Sequence, residues 1–489
     1  MNRPIRSLAM AVLAIFAILA LTAGYQQVIA GPSYRDDLRN QRAIDDRATL
    51  RRGKIITFDG VVVARSTEGP GGTARYVREY PQGEAYAHVV GYSSPLFGDV
   101  GIEATRATDL TSRDDKSLRS ALQRMLGADL RPHQIRLTIN DELQTAAIEA
   151  LNGRNGAVVA IDPQTGAILA MASLPTFDPA DLLEPQSTAA GDALTADPER
   201  PLVPRATGEV YPPGSTFKVI TAAAALSTDI ADPTTLLPDL EELLPPGSTT
   251  PIRNAGHGTC SGGGQITLEE ATVTSCNTAF ASLGMAVGGT ALVDTARSFG
   301  FGSVPPFELE AVASRMPPAA ELDADPAALA QNAIGERDVR ATPLQMALVA
   351  AAIANKGVVM APYVVAEILD ADNEMIWSAA PEPWRIAISE EIAADLTAVM
   401  REVVRSGTGA AASIRGFDVA GKTGTAQVTG AAPHVWFIGF LPADPATRRA
   451  GIAVAVVVES GSLDEPASGG TVAAPIAKLV LEAWINSDN

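Results

Sequence analysis

The sequence predicts an α+β protein built on a five-stranded antiparallel sheet. Gly156 to Ser173 holds two apolar β runs around a Pro-Gln-Thr-Gly turn, which is typical of a hairpin. Three more β runs lie near the C-terminus, at 418–428, 434–442 and 451–460. Helical patterns precede and follow these strands, so helices should cover one face of the sheet.

The helix before the hairpin should be capped by Asn140 or Asp141 and end at Gly153. The closing helix should run around residues 474–484. Between the hairpin and the last strands, residues from Ser215 to about Arg405 predict a mostly helical block, interrupted by Pro- and Gly-rich loops.

Length and charge limit the class of protein. A chain of 489 residues exceeds one ordinary hydrophobic core, so two or more domains are expected. Its formal charge of -19 opposes a nucleic-acid or anionic-lipid partner, because such partners are gripped by clustered Lys and Arg.

The N-terminus carries a membrane signal. Residues 7–34 have no charge, and an aliphatic run from Leu8 to Leu21 follows Arg3 and Arg6. About 20 apolar residues span a bilayer, so the run predicts a transmembrane anchor at 7–30 after a cytoplasmic tail at 1–6. A signal peptide cleaved near Gly24 is the alternative. Both place the rest of the chain outside the cytoplasm.

The exported part should comprise two units. Residues 31–135 are strongly charged and predict a small α+β module, with strand-like runs at 54–66 and a helix at 117–130. A second unit covers 136–489. Because the exported compartment is oxidising, Cys260 and Cys276 should form one disulfide, although two free buried thiols remain an alternative.

A serine and a lysine three residues apart open an apolar helix. Pro212, Pro213 and Gly214 place Ser215 on the first turn, and Lys218 lies on the same face. Burial would lower the pKa of this lysine and let it take a proton from the serine hydroxyl. The pair could also arise by chance, with a lysine that reaches solvent.

Lysine is rare in this chain, which favours the catalytic interpretation. Of 37 basic residues only six are lysine, and arginine cannot accept a proton at neutral pH. Two further motifs hold polar residues in apolar surroundings: Ser275 and Asn277 ahead of a helix, and Lys422, Thr423, Gly424 and Thr425 on a strand. Taken alone, the Ser275 and Asn277 motif could be a helix cap, and the Lys422 motif could be the start of a strand after a turn.

In this order, Ser-x-x-Lys, Ser-x-Asn and Lys-Thr-Gly, the motifs resemble those of penicillin-binding proteins and serine β-lactamases. The resemblance covers most of residues 136–489. Upstream, "RRGKIITFDG" and "YPQGEAYAHVVGY" resemble the non-catalytic module of monofunctional class B penicillin-binding proteins. The resemblance implies a transpeptidase domain whose five-stranded antiparallel sheet has helices on both faces, together with an all-helical subdomain.

The resemblance also implies roles for the first two motifs. Ser215 would be the acylated nucleophile and Lys218 its general base. Ser275 would bridge Lys218 to Lys422 and pass the proton to the leaving amine, and Asn277 would hold the acyl-side amide of the substrate.

On the third motif, Lys422 would supply positive potential, and the hydroxyls of Thr423 and Thr425 would receive the terminal carboxylate of a D-Ala-D-Ala stem. Gly424 would let the ligand lie against the backbone. Backbone N–H groups of Ser215 and Thr425 would form the oxyanion hole, and neither cofactor nor metal is expected.

The implied activity is peptidoglycan D,D-transpeptidation, with β-lactams as acylating inhibitors. The implied setting is a single-pass protein of the cell membrane with an extracytoplasmic catalytic domain. Its expected partners are stem peptides and membrane proteins of cell division or elongation, including a glycosyltransferase. A D,D-carboxypeptidase, a β-lactamase-like hydrolase and a β-lactam sensor without turnover remain alternatives.

Other serine enzymes fit less well. A Ser-His-Asp hydrolase is disfavoured because there is no Gly-x-Ser-x-Gly elbow and only four histidines are present: His88, His133, His257 and His434. About 100 residues between membrane and catalytic unit cannot house a glycosyltransferase, which excludes a bifunctional penicillin-binding protein. One departure from the family is Gly335-Glu336-Arg337, where Gly-Gln-x is common.

Overall fold

The computed structural model describes residues 3–26, 49–69, 76–111, 131–183, 187–428, 430–442, 451–459 and 467–487. The first helix spans Arg3–Gly24, and its segment Ile5–Gly24 is long and apolar enough to cross a membrane, with a mean hydropathy of 2.3. Residues 27–30 of the predicted anchor and the predicted helix at 117–130 lie outside the described residues.

The predicted five-stranded sheet is confirmed, and all neighbouring strands are antiparallel. In spatial order its strands are Ala420–Val428, Ala431–Leu441, Ile452–Val458, Gly156–Ile161 and Ile168–Leu174. The last two form the predicted hairpin. Strand Ala420–Val428, which carries the third motif, lies at the edge of the sheet.

Helices cover both faces of this sheet. Asp141–Leu151 and Ala474–Asn486 pack on one face, and the wholly buried helix Pro343–Ala354 packs on the other. Asn140 caps the first of these by accepting a hydrogen bond from the Leu143 backbone N–H. Because helices lie on both sides, the two strands of the hairpin are buried along their whole length.

The block from Ser215 to Arg405 contains more helix than strand, but helices form less than half of it, so the prediction of a mostly helical block is only partly confirmed. Its helices are Lys218–Ser227, Leu268–Val273, Asn277–Val287, Gly289–Ser298, Ala319–Ala324, Pro326–Ala333, Pro343–Ala354 and Glu390–Arg405. The subdomain expected to be all-helical also carries short strands: Leu236–Asp239, Glu242–Leu243, Ile252–Arg253, Gly264–Thr267, Val358–Met360 and Pro383–Ile386. They are two to four residues long and form two-stranded pairs, so period-2 patterning is too brief to reveal them.

A second, six-stranded sheet joins the N-terminal residues to the rest of the chain. Its strands, in spatial order, are Met375–Ser378, Val365–Leu369, Gln134–Leu137, Ile55–Ile56, Val62–Glu68 and Tyr76–Glu79. Strand Gln134–Leu137 pairs with Ile55–Ile56 on one side and with Val365–Leu369 on the other. The predicted boundary between residues 135 and 136 therefore falls within a strand shared by both parts.

Candidate active site

The predicted nucleophile lies where the helical block meets the edge of the five-stranded sheet. Ser215 sits on a single 3₁₀ turn, Gly214–Phe217, that leads directly into helix Lys218–Ser227. Gly214 has a φ of 52° and donates a backbone hydrogen bond of 2.9 Å to Gly335 O. This geometry leaves the Ser215 side chain half-buried at the surface of the block.

Gly424 brings the edge strand against this turn. A Cβ at Gly424 would lie 2.8 Å from Pro213 O and 2.9 Å from Thr216 Cγ2. The nucleophile turn itself therefore occupies the space at Gly424 that was predicted to hold a ligand. The glycine allows the strand and the turn to touch, which places Thr425 beside Ser215.

Replacing Gly424 with alanine should push the turn away from the strand and lower the rate of acylation by a β-lactam at least tenfold, since misplacement by about 1 Å can cost roughly 10² in rate. Gly258→Ala is a matched control, because a Cβ there meets no atom within 4 Å. Stopped-flow acylation of both variants measures the effect; equal rates would show that the contact is dispensable.

Two fully buried lysines share one serine hydroxyl. Lys422 Nζ lies 2.8 Å from Ser275 Oγ, and Lys218 Nζ lies 3.3 Å from the same oxygen. Lys218 Nζ also donates to Ser275 O and to Asn277 Oδ1, at 2.7 Å each. Lys218, Ser275, Asn277 and Lys422 are thus brought together on the helix, loop and strand that the motifs predicted, and Ser215 lies on the turn that leads into the Lys218 helix.

The hydrogen bonds fit an uncharged Lys218. The carbonyl of Ser275 and the amide oxygen of Asn277 can only accept, so they take the two N–H groups of a neutral amine. The Ser275 hydroxyl can then donate to the nitrogen lone pair. Within the described residues Lys218 Nζ has no hydrogen bond to Ser215, so the lysine amine and the serine hydroxyl must move closer together when substrate binds before a proton can pass between them.

Burial sets the protonation of this pair. Burial first, and the charge of Lys422 second, lower the pKa of Lys218 well below its ordinary value, while Glu336 acts in the opposite sense. Burial lowers the pKa of Lys422 to about 7. Both lysines therefore release a proton far more readily than solvent-exposed lysines do.

The backbone of Ser275 directs its side chain between the lysines. Its φ of 61° lies in the left-handed region, which is uncommon for a residue with a Cβ. Asn254, a buried loop residue, accepts hydrogen bonds from the backbone N–H groups of Asn277 and Thr278 at 2.9 and 3.0 Å. Asn254 holds the start of helix Asn277–Val287, a role that sequence reasoning missed because no local pattern marks it.

A disulfide joins Cys260 to Cys276, with a Cα–Cα distance of 5.8 Å. Cys276 lies between Ser275 and Asn277, so the bond ties the second motif to a loop. Backbone N–H groups of that loop, at Cys260 and Ser261, bond the buried Asp239 carboxylate. That the bond positions Ser275 and Asn277 stays a prediction.

Reducing this disulfide should lower the free energy of unfolding by about 3 kcal/mol, the value expected for a loop of this length. Urea unfolding with and without dithiothreitol measures the loss. The double variant Cys260→Ala, Cys276→Ala is the control and should not respond to reductant; a native protein that is equally insensitive would refute the prediction.

The two threonines of the third motif differ in accessibility. Thr423 is buried, and its hydroxyl lies 2.7 Å from that of Thr408, which sequence reasoning also missed. Thr425 is half-buried, and its hydroxyl accepts a bond from Gly469 N at 3.3 Å. Since strand residues alternate, both threonines lie on the face opposite Lys422 and Gly424.

His434 and Trp436 have structural contacts. Trp436 is fully buried and donates from its indole to Pro212 O at 3.0 Å. His434 packs edge-on against Tyr211, with 5.3 Å between ring centroids. Both side chains support the segment that leads into Ser215.

Comparison with known proteins identifies relatives over the whole chain. The penicillin-binding protein transpeptidase domain matches residues 156–482, and the penicillin-binding protein A dimerisation domain matches 52–133. The peptidoglycan D,D-transpeptidase PbpA of Mycolicibacterium smegmatis is 40% identical over 99% of both chains.

Solved structures of penicillin-binding proteins also resemble this chain. The ceftriaxone acyl-enzyme of penicillin-binding protein A from Mycobacterium tuberculosis has a TM-score of 0.82 and 38% identity, covering 90% of this chain and 100% of that one. Its penicillin G acyl-enzyme has a TM-score of 0.81 and 38% identity, with 89% and 100% covered. The chain belongs to the penicillin-binding protein transpeptidase family.

Proposed function

We propose that the chain is a peptidoglycan D,D-transpeptidase in which Ser215 carries the acyl group. The observation that supports this most strongly is the pair of fully buried lysines, Lys218 and Lys422, bonded to one Ser275 hydroxyl beside the nucleophile turn. Such a site can take a proton from one hydroxyl and return it to a leaving amine.

In the first half-reaction, Lys218 accepts the Ser215 proton as the oxygen attacks the carbonyl of the penultimate D-alanine. Backbone N–H groups of Ser215 and Thr425 stabilise the oxyanion, each worth roughly 10² to 10³ in rate. Ser275 passes the proton to the leaving D-alanine. The Thr425 hydroxyl binds the terminal carboxylate, Lys422 supplies positive potential, and Asn277 binds the acyl-side amide.

In the second half-reaction, an amine of another stem peptide attacks the acyl-serine and forms the cross-link. β-Lactams enter at the first step, because their ring amide takes the place of the D-Ala-D-Ala bond and the ester persists. The β-lactam acyl-enzymes of penicillin-binding protein A from M. tuberculosis support this for the present chain.

The N-terminal helix supports a membrane location, with the catalytic domain outside the cytoplasm. The residues assigned to the site lie between Ser215 and Thr425, and we assign residues 31–135 to contacts with protein partners, such as a glycosyltransferase that supplies new glycan strands.

The test is the release of D-alanine from a pentapeptide-bearing glycan strand by the purified full chain, together with mass spectrometry of the products. D-Alanine release with a cross-linked dimer supports the proposal. Release without a dimer would indicate a carboxypeptidase, and penicillin labelling without release would indicate a sensor.

A further inference from the structure

The Glu336 carboxylate lies in the wall of the site, and none of the steps above uses it. The residue before it, Gly335, accepts the hydrogen bond from Gly214 N. A Cβ on Gly335 would lie 1.8 Å from Gly214 O, so the two segments touch backbone to backbone. Glu336 and Ser215 each follow one member of this glycine pair, which holds them near one another.

A second contact fixes the side chain. Gln427 N donates to Glu336 Oε1 at 3.4 Å, and Gln427 lies two residues beyond Thr425 on the edge strand. Glu336 thus lies between the nucleophile turn and the edge strand, and its carboxylate contacts that strand near the proposed oxyanion hole. Glu336 forms no ion pair with any residue that the structure describes, so its charge is available to a ligand.

The charged groups that act on Glu336 are Lys218 and Arg340. Burial raises the pKa of Glu336 to about 7, against the opposing effects of the Gln427 N–H, Lys218 and Arg340. A carboxyl group that titrates near neutral pH can accept a proton in one step and release it in the next.

We propose that Glu336 is a catalytic residue of the second half-reaction, where it binds the ammonium group of the acceptor stem peptide and takes a proton from it. The inference rests on the proposed function, because it requires an acyl-serine for the amine to attack. The proposed ligand is therefore a primary ammonium group, which the anionic Glu336 carboxylate would bind beside the acyl ester on Ser215.

The step balances in atoms and charge. The ammonium gives one proton to the Glu336 carboxylate, and the amine nitrogen forms a bond to the acyl carbon. The bond between that carbon and Ser215 Oγ breaks. The second nitrogen-bound proton passes through Lys218 to Ser215 Oγ, which leaves an amide, a serine hydroxyl and a protonated Glu336 that then loses its proton to solvent.

The test compares two rates in the detergent-solubilised full chain: acylation by penicillin G, and aminolysis of a thioester donor with D-alanine as the acceptor amine. For Glu336→Gln we expect the ratio of aminolysis to acylation to fall at least tenfold, since a general base contributes about 10² to 10⁴. Glu336→Asp, which keeps the carboxylate, should recover part of the loss. Glu321→Gln, on an exposed helix, is the matched control.

A second readout separates this role from a structural one. Without the carboxylate, the acceptor must arrive as a free amine, so aminolysis by Glu336→Gln should rise with pH above neutrality more steeply than aminolysis by the native protein. An unchanged ratio, or acylation and aminolysis falling together, would overturn the inference and leave the proposed function intact. Absence of acylation in the native protein would instead refute the proposed function.

Discussion

Ser215→Ala should abolish covalent labelling by a fluorescent penicillin. The variant lacks the oxygen that forms the ester, and no other group in the site is proposed to replace it. Because the change removes one half-buried atom, the melting temperature should stay close to that of the native protein. Gel fluorescence after denaturation measures the covalent product.

Ser298→Ala is the matched control for this experiment. Ser298 ends a helix elsewhere in the helical block, where its hydroxyl donates a hydrogen bond of 3.1 Å to Asp294 O. It should label like the native protein. Persistent labelling of Ser215→Ala would place the nucleophile at another residue.

Lys218→Met should lower the acylation rate by about 10² to 10⁴, the usual contribution of a general base. Methionine fills a similar volume in an apolar site, although Ser275 O and Asn277 Oδ1 lose their donor, at a cost of about 1 to 3 kcal/mol. Stopped-flow measurement of acylation, together with thermal unfolding, separates the two effects.

Lys356→Met removes an exposed lysine and serves as the control. Its acylation rate should match that of the native protein. If Lys218→Met acylates within tenfold of the native rate while remaining folded, the proton is accepted elsewhere.

Local patterns were sufficient for much of the fold. The hairpin Gly156–Leu174 and the helix capped by Asn140 depend on residues close together in sequence, so their turn and cap chemistry was readable. The six-stranded sheet could not be predicted in this way. Strand Ile55–Ile56 is only two residues long, and its parallel partner, Gln134–Leu137, is distant in sequence. Pairing across such separations leaves no periodic trace.

The candidate active site, like the fold, could be predicted only in part from the sequence. Three spaced motifs predicted which side chains come together, and the structure places Lys218, Ser275 and Lys422 in one hydrogen-bonded group. Asn254 and Thr408 were missed, because each acts through a contact with a distant segment. The sequence shows that Gly424 is small, but only the packing shows that Pro213 and Thr216 lie against it.

The pKa of the Lys218 amine in the folded protein tests the central claim most directly. Lysine labelled with ¹³C at Cε reports its own protonation by NMR, and six lysines give a spectrum in which a Lys218→Arg variant identifies the signal. We expect the Lys218 amine to be uncharged at neutral pH and its pKa to lie well below the ordinary value of about 10.4. A signal that stays cationic up to about pH 10 would contradict it.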